Sequence, residues 1–231
     1  MPVCRQNKPM GTLYLVRHGQ ASFGADDYDV LSDLGVRQAV RLGEYFKYKK
    51  IAFEAAFTGT LRRQVSTFEA ICKGMAAPLT ATAWPGLNEY DSHAVIAAIH
   101  PHQLEKPTSP KMYRNHFRLL KDGLAQWMAG VVSPHGMPSY SDFVAGVTDA
   151  LDHIRKNCEG NVLLVSSGGP ISTAVGHVLG TRPEATIELN LRIRNCSVTE
   201  FAFTPKRHML VTYNTLAHLD APEHADWITY S

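Results

Sequence analysis

Short apolar runs of strand length alternate along this chain with longer stretches whose apolar residues recur every three or four positions. Few folds accommodate such alternation. Residues 12–17 (Thr-Leu-Tyr-Leu-Val-Arg) read as a buried strand ending in His18-Gly19. Ser32 or Asp33 caps a helix to about Lys47, with Leu34, Gln38, Leu42 and Tyr45 near one face. Residues 52–57 form a short strand, and a helix follows from about Thr60 to Lys73. Leu79 to Trp84 are extended until Pro85-Gly86 breaks the chain. From about His93 to Asn157 no strand pattern is present. Instead, Tyr113, Phe117, Leu120, Leu124 and Trp127 mark one amphipathic helix, and Phe143, Val147, Ala150 and Ile154 another. Strand character returns at Asn161–Ser166, and Gly168-Gly169-Pro170 opens a helix through Leu179. Residues 196–203 and 208–214 read as strands joined by a Pro-Lys-Arg-His turn. The expected architecture is an α/β, three-layer α/β/α sandwich. Its sheet is mostly parallel with helices on both faces, and a helical insert at about 93–157 belongs to a single domain spanning 1–231. In such sheets chemistry collects at the carboxyl ends of the strands.

Composition narrows the class. Twenty-three Lys and Arg against 21 Asp and Glu leave a net charge of +2, which disfavours a nucleic-acid or polybasic membrane partner. No apolar run approaches the ~20 residues of a membrane span. The opening Met1-Pro2-Val3-Cys4-Arg5 lacks a secretory layout, so a cytoplasmic location is expected. Cys4, Cys72, Cys158 and Cys196 stand singly, without metal-ligand spacing, and read as ordinary small residues. No metal and no cofactor are expected.

The first strand delivers Arg17-His18-Gly19-Gln20 to the sheet edge, a cation and an imidazole beside a glycine that permits close backbone approach. The second delivers Thr58-Gly59-Thr60-Leu61-Arg62-Arg63 at a helix start, where guanidinium and backbone N–H donors converge on an anion. Adjacent arginines cannot share a helix face, so one of the pair points inward; taken alone, the pair reads as solvated surface. The third leads into Leu87-Asn88-Glu89-Tyr90-Asp91. Together these describe a phosphoryl-transfer pocket with a His nucleophile, Arg clamps and a carboxyl acid. No Walker-type glycine loop is present.

Leu15-Val16-Arg17-His18-Gly19, Thr58–Arg63 and Leu87-Asn88-Glu89 in that order resemble the histidine phosphatase superfamily, the phosphoglycerate-mutase-like fold. Val165-Ser166-Ser167-Gly168-Gly169, Asn195-Cys196-Ser197-Val198 and Asn214–Leu219 continue the match. The resemblance implies that His18 accepts the phosphoryl group, Arg17 and Arg63 bind phosphate, and Glu89 protonates the leaving group. A small phosphorylated substrate or phosphoprotein is the expected partner, the charge balance and the lack of an apolar span argue against nucleic acid and membrane, and oligomeric state is not legible.

One departure stands out. Where the family carries a second histidine, this chain has Ser167, which supplies a hydroxyl but no charge. Loss of one preorganised donor costs about 10²–10³ in rate. The helix N-terminus at Gly168-Gly169 still offers N–H groups to phosphate. Neither Ser166 nor Ser167 has the glycine two residues earlier that a nucleophile elbow requires. His93, four residues after Glu89, is a candidate to compensate if that stretch is helical. His177 and His218 read as structural. Lys111, Arg114, Arg118 and Lys121 recur at helical spacing and form either a solvated face or an arm for an anionic substrate. The expected function is a metal-independent phosphomonoester hydrolase acting through phosphohistidine. The alternative is a catalytically weakened phosphate-ligand or partner-binding protein of the same fold, with a mutase further behind.

Overall fold

The structure is a computed structural model that describes residues 11–22, 29–100, 102, 104 and 108–230. Cys4 lies outside these residues. The elements are β1 (Gly11–Arg17), α1 (Asp33–Tyr48), β2 (Ala55–Thr58), α2 (Arg62–Met75), β3 (Ala81–Ala83), α3 (Ser92–Ala97), α4 (Pro110–Met128) and α5 (Tyr140–Asn157). They continue with β4 (Asn161–Ser166), α6 (Gly168–Leu179), α7 (Pro183–Arg192), β5 (Val198–Thr204) and β6 (Arg207–Thr215), and short 3₁₀ turns fill several connections.

The sheet has six strands in the order β3-β2-β4-β1-β5-β6. The first four run parallel, and β5 and β6 add an antiparallel hairpin beside β1. Side-chain alternation divides the core. Leu13, Leu15, Val162, Leu164 and Phe201 face one layer, where they meet Leu120, Leu124, Trp127, Val147, Ile154 and Ile171 of the later helices. Val16, Ala56, Leu163 and Val165 face the other, against Leu42 and Phe46 of α1 and Phe68 and Ile71 of α2. These are the α/β/α layers expected from the sequence. The insert helices share the first layer with the sheet: Trp127 is 2% exposed, and its indole N–H donates to the Pro138 carbonyl.

Local signals explain most boundaries. The Ser32 hydroxyl accepts from Gly35 N–H at 3.0 Å and starts α1; Ser109 and Ser139 cap α4 and α5 in the same way. The second helix begins at Arg62, two residues later than the sequence suggests, with its carboxyl end at Met75. Two helices lie outside the sequence reading. The six-residue α3 is too short to show periodicity, and α7 buries only Thr186 and Ile187, so its apolar stripe is faint. The stripe read along α4 holds only in its second half. Leu120, Leu124 and Trp127 are buried, whereas Tyr113 and Phe117 are exposed because the first turns of α4 extend past the core.

α1 and α2 cross where Gly43 faces Gly74. A Cβ on Gly74 would stand 2.1 Å from the Val40 carbonyl oxygen, and one on Gly43 2.1 Å from that of Ile71. Both obstacles are backbone and cannot rotate away. Gly74→Val is expected to destabilise the fold by about 1–3 kcal/mol through overpacking, read as a lower denaturation midpoint. An unchanged midpoint would show that the crossing tolerates separation.

Candidate active site

Strand register assembles the site. Arg17 pairs with Ser166 and Thr58 with Val165, so His18, Gly59 and Ser167 emerge side by side at the carboxyl edge. The backbone continues the ladder one step further: His18 N–H donates to the Ser166 carbonyl at 2.9 Å and Gly59 N–H to that of Val165 at 3.3 Å.

His18 is 2% exposed. Its Nδ1 lies 2.7 Å from the Gly19 carbonyl oxygen. A carbonyl only accepts, so Nδ1 carries the proton and Nε2 keeps its lone pair. Burial, then the Arg17 and Arg63 charges, hold the imidazole well below its ordinary pKa, so the ring is neutral. The His18 carbonyl accepts from Asn195 Nδ2 at 3.2 Å and from Cys196 N–H at 3.2 Å. Cys196 adopts a left-handed φ of 53° to present that amide.

Arg17 ends β1 with its guanidinium donating to the carbonyls of Ile193 at 2.6 Å and Tyr230 at 3.0 Å. Arg63, in the first turn of α2, is 7% exposed, and its Nε–H points at His18 Nε2 at 3.3 Å. Arg62, its neighbour, is exposed. This is the inward–outward split expected of consecutive arginines on a helix. Asp29, which sequence reasoning passed over, accepts from Arg63 Nη1 at 2.7 Å and from the Arg62 backbone N–H at 2.9 Å. It supplies the anion at the α2 N-terminus from outside the helix, and no motif marks it.

Glu89 follows the 3₁₀ turn at Pro85–Leu87. Its carboxyl group meets the first turn of α6, where Gly169 N–H lies 3.0 and 3.2 Å from the two oxygens. Burial raises its pKa; the Gly169 amide, Arg63 and Arg17 pull the other way without cancelling that effect. Ser167 stands at the N-cap position of α6 without a side-chain bond to the helix and is wholly buried, with its Oγ accepting from Gln64 Nε2 at 2.9 Å. Gly168 opens the helix beside it. Arg17, His18, Arg63, Glu89, Ser167 and Gly168 therefore converge.

His93 does not join them. The helix α3 starts at Ser92, after Glu89, so the two share no helix face. The His93 side chain is 92% exposed, with Nδ1 3.9 Å from an Asp91 oxygen. Its expected compensating place is corrected accordingly. His177 is exposed in the last turn of α6, whereas His218 is buried beside Tyr45 with its pKa pushed down to about 3 by burial. Lys111, Arg114, Arg118 and Lys121 all lie exposed, with Arg118 paired to Asp122 and Lys121 reaching Glu188. Among the described residues, no cluster of three or more His, Cys, Asp and Glu side chains could hold a metal ion, and no helix is long and apolar enough to cross a membrane.

The histidine phosphatase superfamily (branch 1) profile matches residues 13–216. A search of curated proteins returns no match. Among solved structures, a phosphoglycerate mutase from Bacillus anthracis str. Sterne superposes with a TM-score of 0.64 at 19% identity, covering 92% of this chain and 96% of its own. A phosphoserine phosphatase from Entamoeba histolytica in complex with 3-phosphoglyceric acid gives 0.64 at 20% identity, covering 90% and 99%. A mycobacterial glucosyl-3-phosphoglycerate phosphatase gives 0.62 at 22%, covering 89% and 99%. At these identities the structural likeness speaks for the fold. With the profile spanning most of the sequence, the chain belongs to the histidine phosphatase superfamily, branch 1.

Proposed function

We propose that this protein is a metal-independent phosphomonoester hydrolase that works through a phosphohistidine on His18. The observation that carries the reading is the imidazole itself: Nδ1–H is committed to the Gly19 carbonyl, and Nε2 lies 3.3 Å from the Arg63 guanidinium. A group bonded to Nε2 is thus within reach of a buried cation. The neutral ring attacks phosphorus through Nε2 as the ester P–O bond breaks, and Glu89 in its protonated form gives its proton to the departing oxygen. The resulting carboxylate then takes a proton from water, whose oxygen attacks phosphorus as the P–N bond breaks. Arg17 and Arg63 hold the non-bridging oxygens, with Ser167 and the Gly168 turn as neutral donors. Structural relatives named as phosphatases and as a phosphoglycerate mutase agree with this chemistry on a small phosphorylated substrate, with a phosphoprotein as the alternative. The neutral Ser167 favours a slower hydrolase over a mutase, which must retain its phosphoryl group for return transfer. The same residue motivates the second reading, a phosphate-ligand binding protein. Vanadate binding without turnover of any ester would establish that second reading.

Three outcomes are expected. His18→Ala abolishes turnover, and the unsubstituted protein, quenched during turnover, carries acid-labile, alkali-stable phosphate on His18. Full activity in the variant would overturn the mechanism. Arg63→Ala weakens vanadate binding by about 10–100-fold, because a buried charge-assisted hydrogen bond is lost. Arg62→Ala changes it by less than about threefold, since an exposed charge acts only through screened solvent. Equal effects would mean that Arg62 also enters the site.

The third concerns pH. kcat/KM reports the free enzyme. With His18 held below its ordinary pKa, the acid limb lies below the ordinary imidazole range. With Glu89 raised, the alkaline limb for an alkyl ester lies above the ordinary carboxylate range, as the acid loses its proton. Glu89→Gln removes that alkaline limb. A limb that survives the substitution would assign the proton to another group.

A further inference from the structure

Gln64 is fully buried although its side chain is polar, and both its amide protons and its amide oxygen are hydrogen-bonded. Nε2 donates to the Leu87 carbonyl at 3.0 Å and to Ser167 Oγ at 2.9 Å, while Oε1 accepts from Leu61 N–H at 3.3 Å. One side chain thus joins the entry of α2, the segment leading to Glu89, and the turn that opens α6. Gly59 leaves the room for it: a Cβ there would stand 2.0 Å from Gln64 Oε1 and 2.6 Å from Asn88 Oδ1. The Leu87 carbonyl also accepts from Ser166 Oγ at 2.7 Å. A second tie runs parallel to the first. Asn88 accepts from Thr60 N–H at 2.7 Å and donates to Thr60 Oγ1 at 2.6 Å.

These contacts have a direction. Arg63 precedes Gln64 on α2, and Glu89 lies two residues beyond Leu87. The α2 side of the site carries the phosphate clamp, and the Leu87 side carries the proton donor. We propose that Gln64 is a positioning residue that fixes the Glu89 carboxyl group relative to the His18–Arg63 pair, through the Leu87 carbonyl and the Ser167 hydroxyl. This rests on the reading of Glu89 as the acid for the leaving group. Because Ser167 Oγ accepts from Gln64, its own proton is left to donate elsewhere, which suits a donor to a phosphoryl oxygen. The same bond places a carboxamide against the Ser167 side chain, where a larger residue at 167 would need room.

The test uses two phosphate monoesters with the full-length protein. Nitrophenolate leaves p-nitrophenyl phosphate without a proton, whereas the alkoxide of β-glycerophosphate needs one as its P–O bond breaks and the P–Nε2 bond forms. Gln64→Met keeps the side-chain volume and removes the amide. It is expected to lower kcat/KM for β-glycerophosphate by about 10–100-fold, part of what a general acid contributes. For p-nitrophenyl phosphate the loss is expected to stay within about threefold, because the acid then has little to supply. Glu89→Gln gives the same pattern more strongly, and the double variant is no slower on the alkyl ester than Glu89→Gln alone. Equal losses on the two esters, or additive losses in the double variant, would overturn the positioning role. Thermal unfolding checks that Gln64→Met folds; if it does not, Asn88→Ala, which cuts the parallel tie, is expected to show the same ester selectivity, and its failure to do so overturns the proposal. No turnover of either ester by the unsubstituted protein would instead defeat the hydrolase reading on which this one stands.

Discussion

The pairing of β1 with β4 is the constraint on which the site depends. Arg17 stands opposite Ser166, and the parallel ladder carries on to bond His18 N–H to the Ser166 carbonyl. A slip of one residue would turn Leu13, Leu15 and Val16 onto the wrong layers and withdraw Arg17 from the edge. Both strands are buried on both faces, so the two apolar layers enforce one register together. The chemistry at the edge is therefore set by packing several residues away. The hairpin β5–β6 completes this frame from the other side, where Cys196 N–H binds the carbonyls of Arg17 and His18.

Placing two guanidinium groups beside a buried imidazole is costly unless their donors are used. Arg17 directs Nη1 to two backbone carbonyls, and Arg63 is paired with Asp29. Burial raises the Glu89 pKa, and burial with the neighbouring cations lowers that of His18. The same environment thus pushes a carboxyl group and an imidazole toward their neutral forms. On the proposed mechanism these are the forms needed at the start, an acid with a proton to give and a base with a lone pair.

Most of the fold was legible because its strands are short, apolar and separated by amphipathic helices. Arg17 and His18 were legible because they stand at the end of the first strand, where sequence order and sheet edge coincide, whereas Arg63 and Glu89 were singled out by the resemblance rather than by spacing. What escaped was nonlocal. Asp29 reaches Arg63 across 34 positions, and Gln64 reaches Ser167 across 103. No spacing rule connects such residues; a glutamine at helical spacing from Phe68 and Ile71, on the apolar side of its helix, is the one faint signal. His93 misled for the opposite reason. Its spacing from Glu89 is helical, but the Asp91 side chain accepts from His93 N–H and Ala94 N–H and starts the helix after Glu89.

Ser167 gains its meaning from these nonlocal contacts. A histidine there would bring a charge to the phosphoryl group; here the position is neutral and bonded to a neutral carboxamide. The N-terminus of α6, the other source of positive potential at this turn, directs the Gly169 amide to Glu89. That amide stabilises the carboxylate form, which on the proposed mechanism activates water in the second step, while burial favours the protonated form proposed for the first. The acid therefore sits between two opposed influences, both built from backbone and packing. On the proposed mechanism the cationic part of the work falls to Arg17 and Arg63. On the same reading the turn at Ser167–Gly169, besides offering neutral donors to phosphate, anchors the proposed proton donor, through Gln64 on one side and the Gly169 amide on the other.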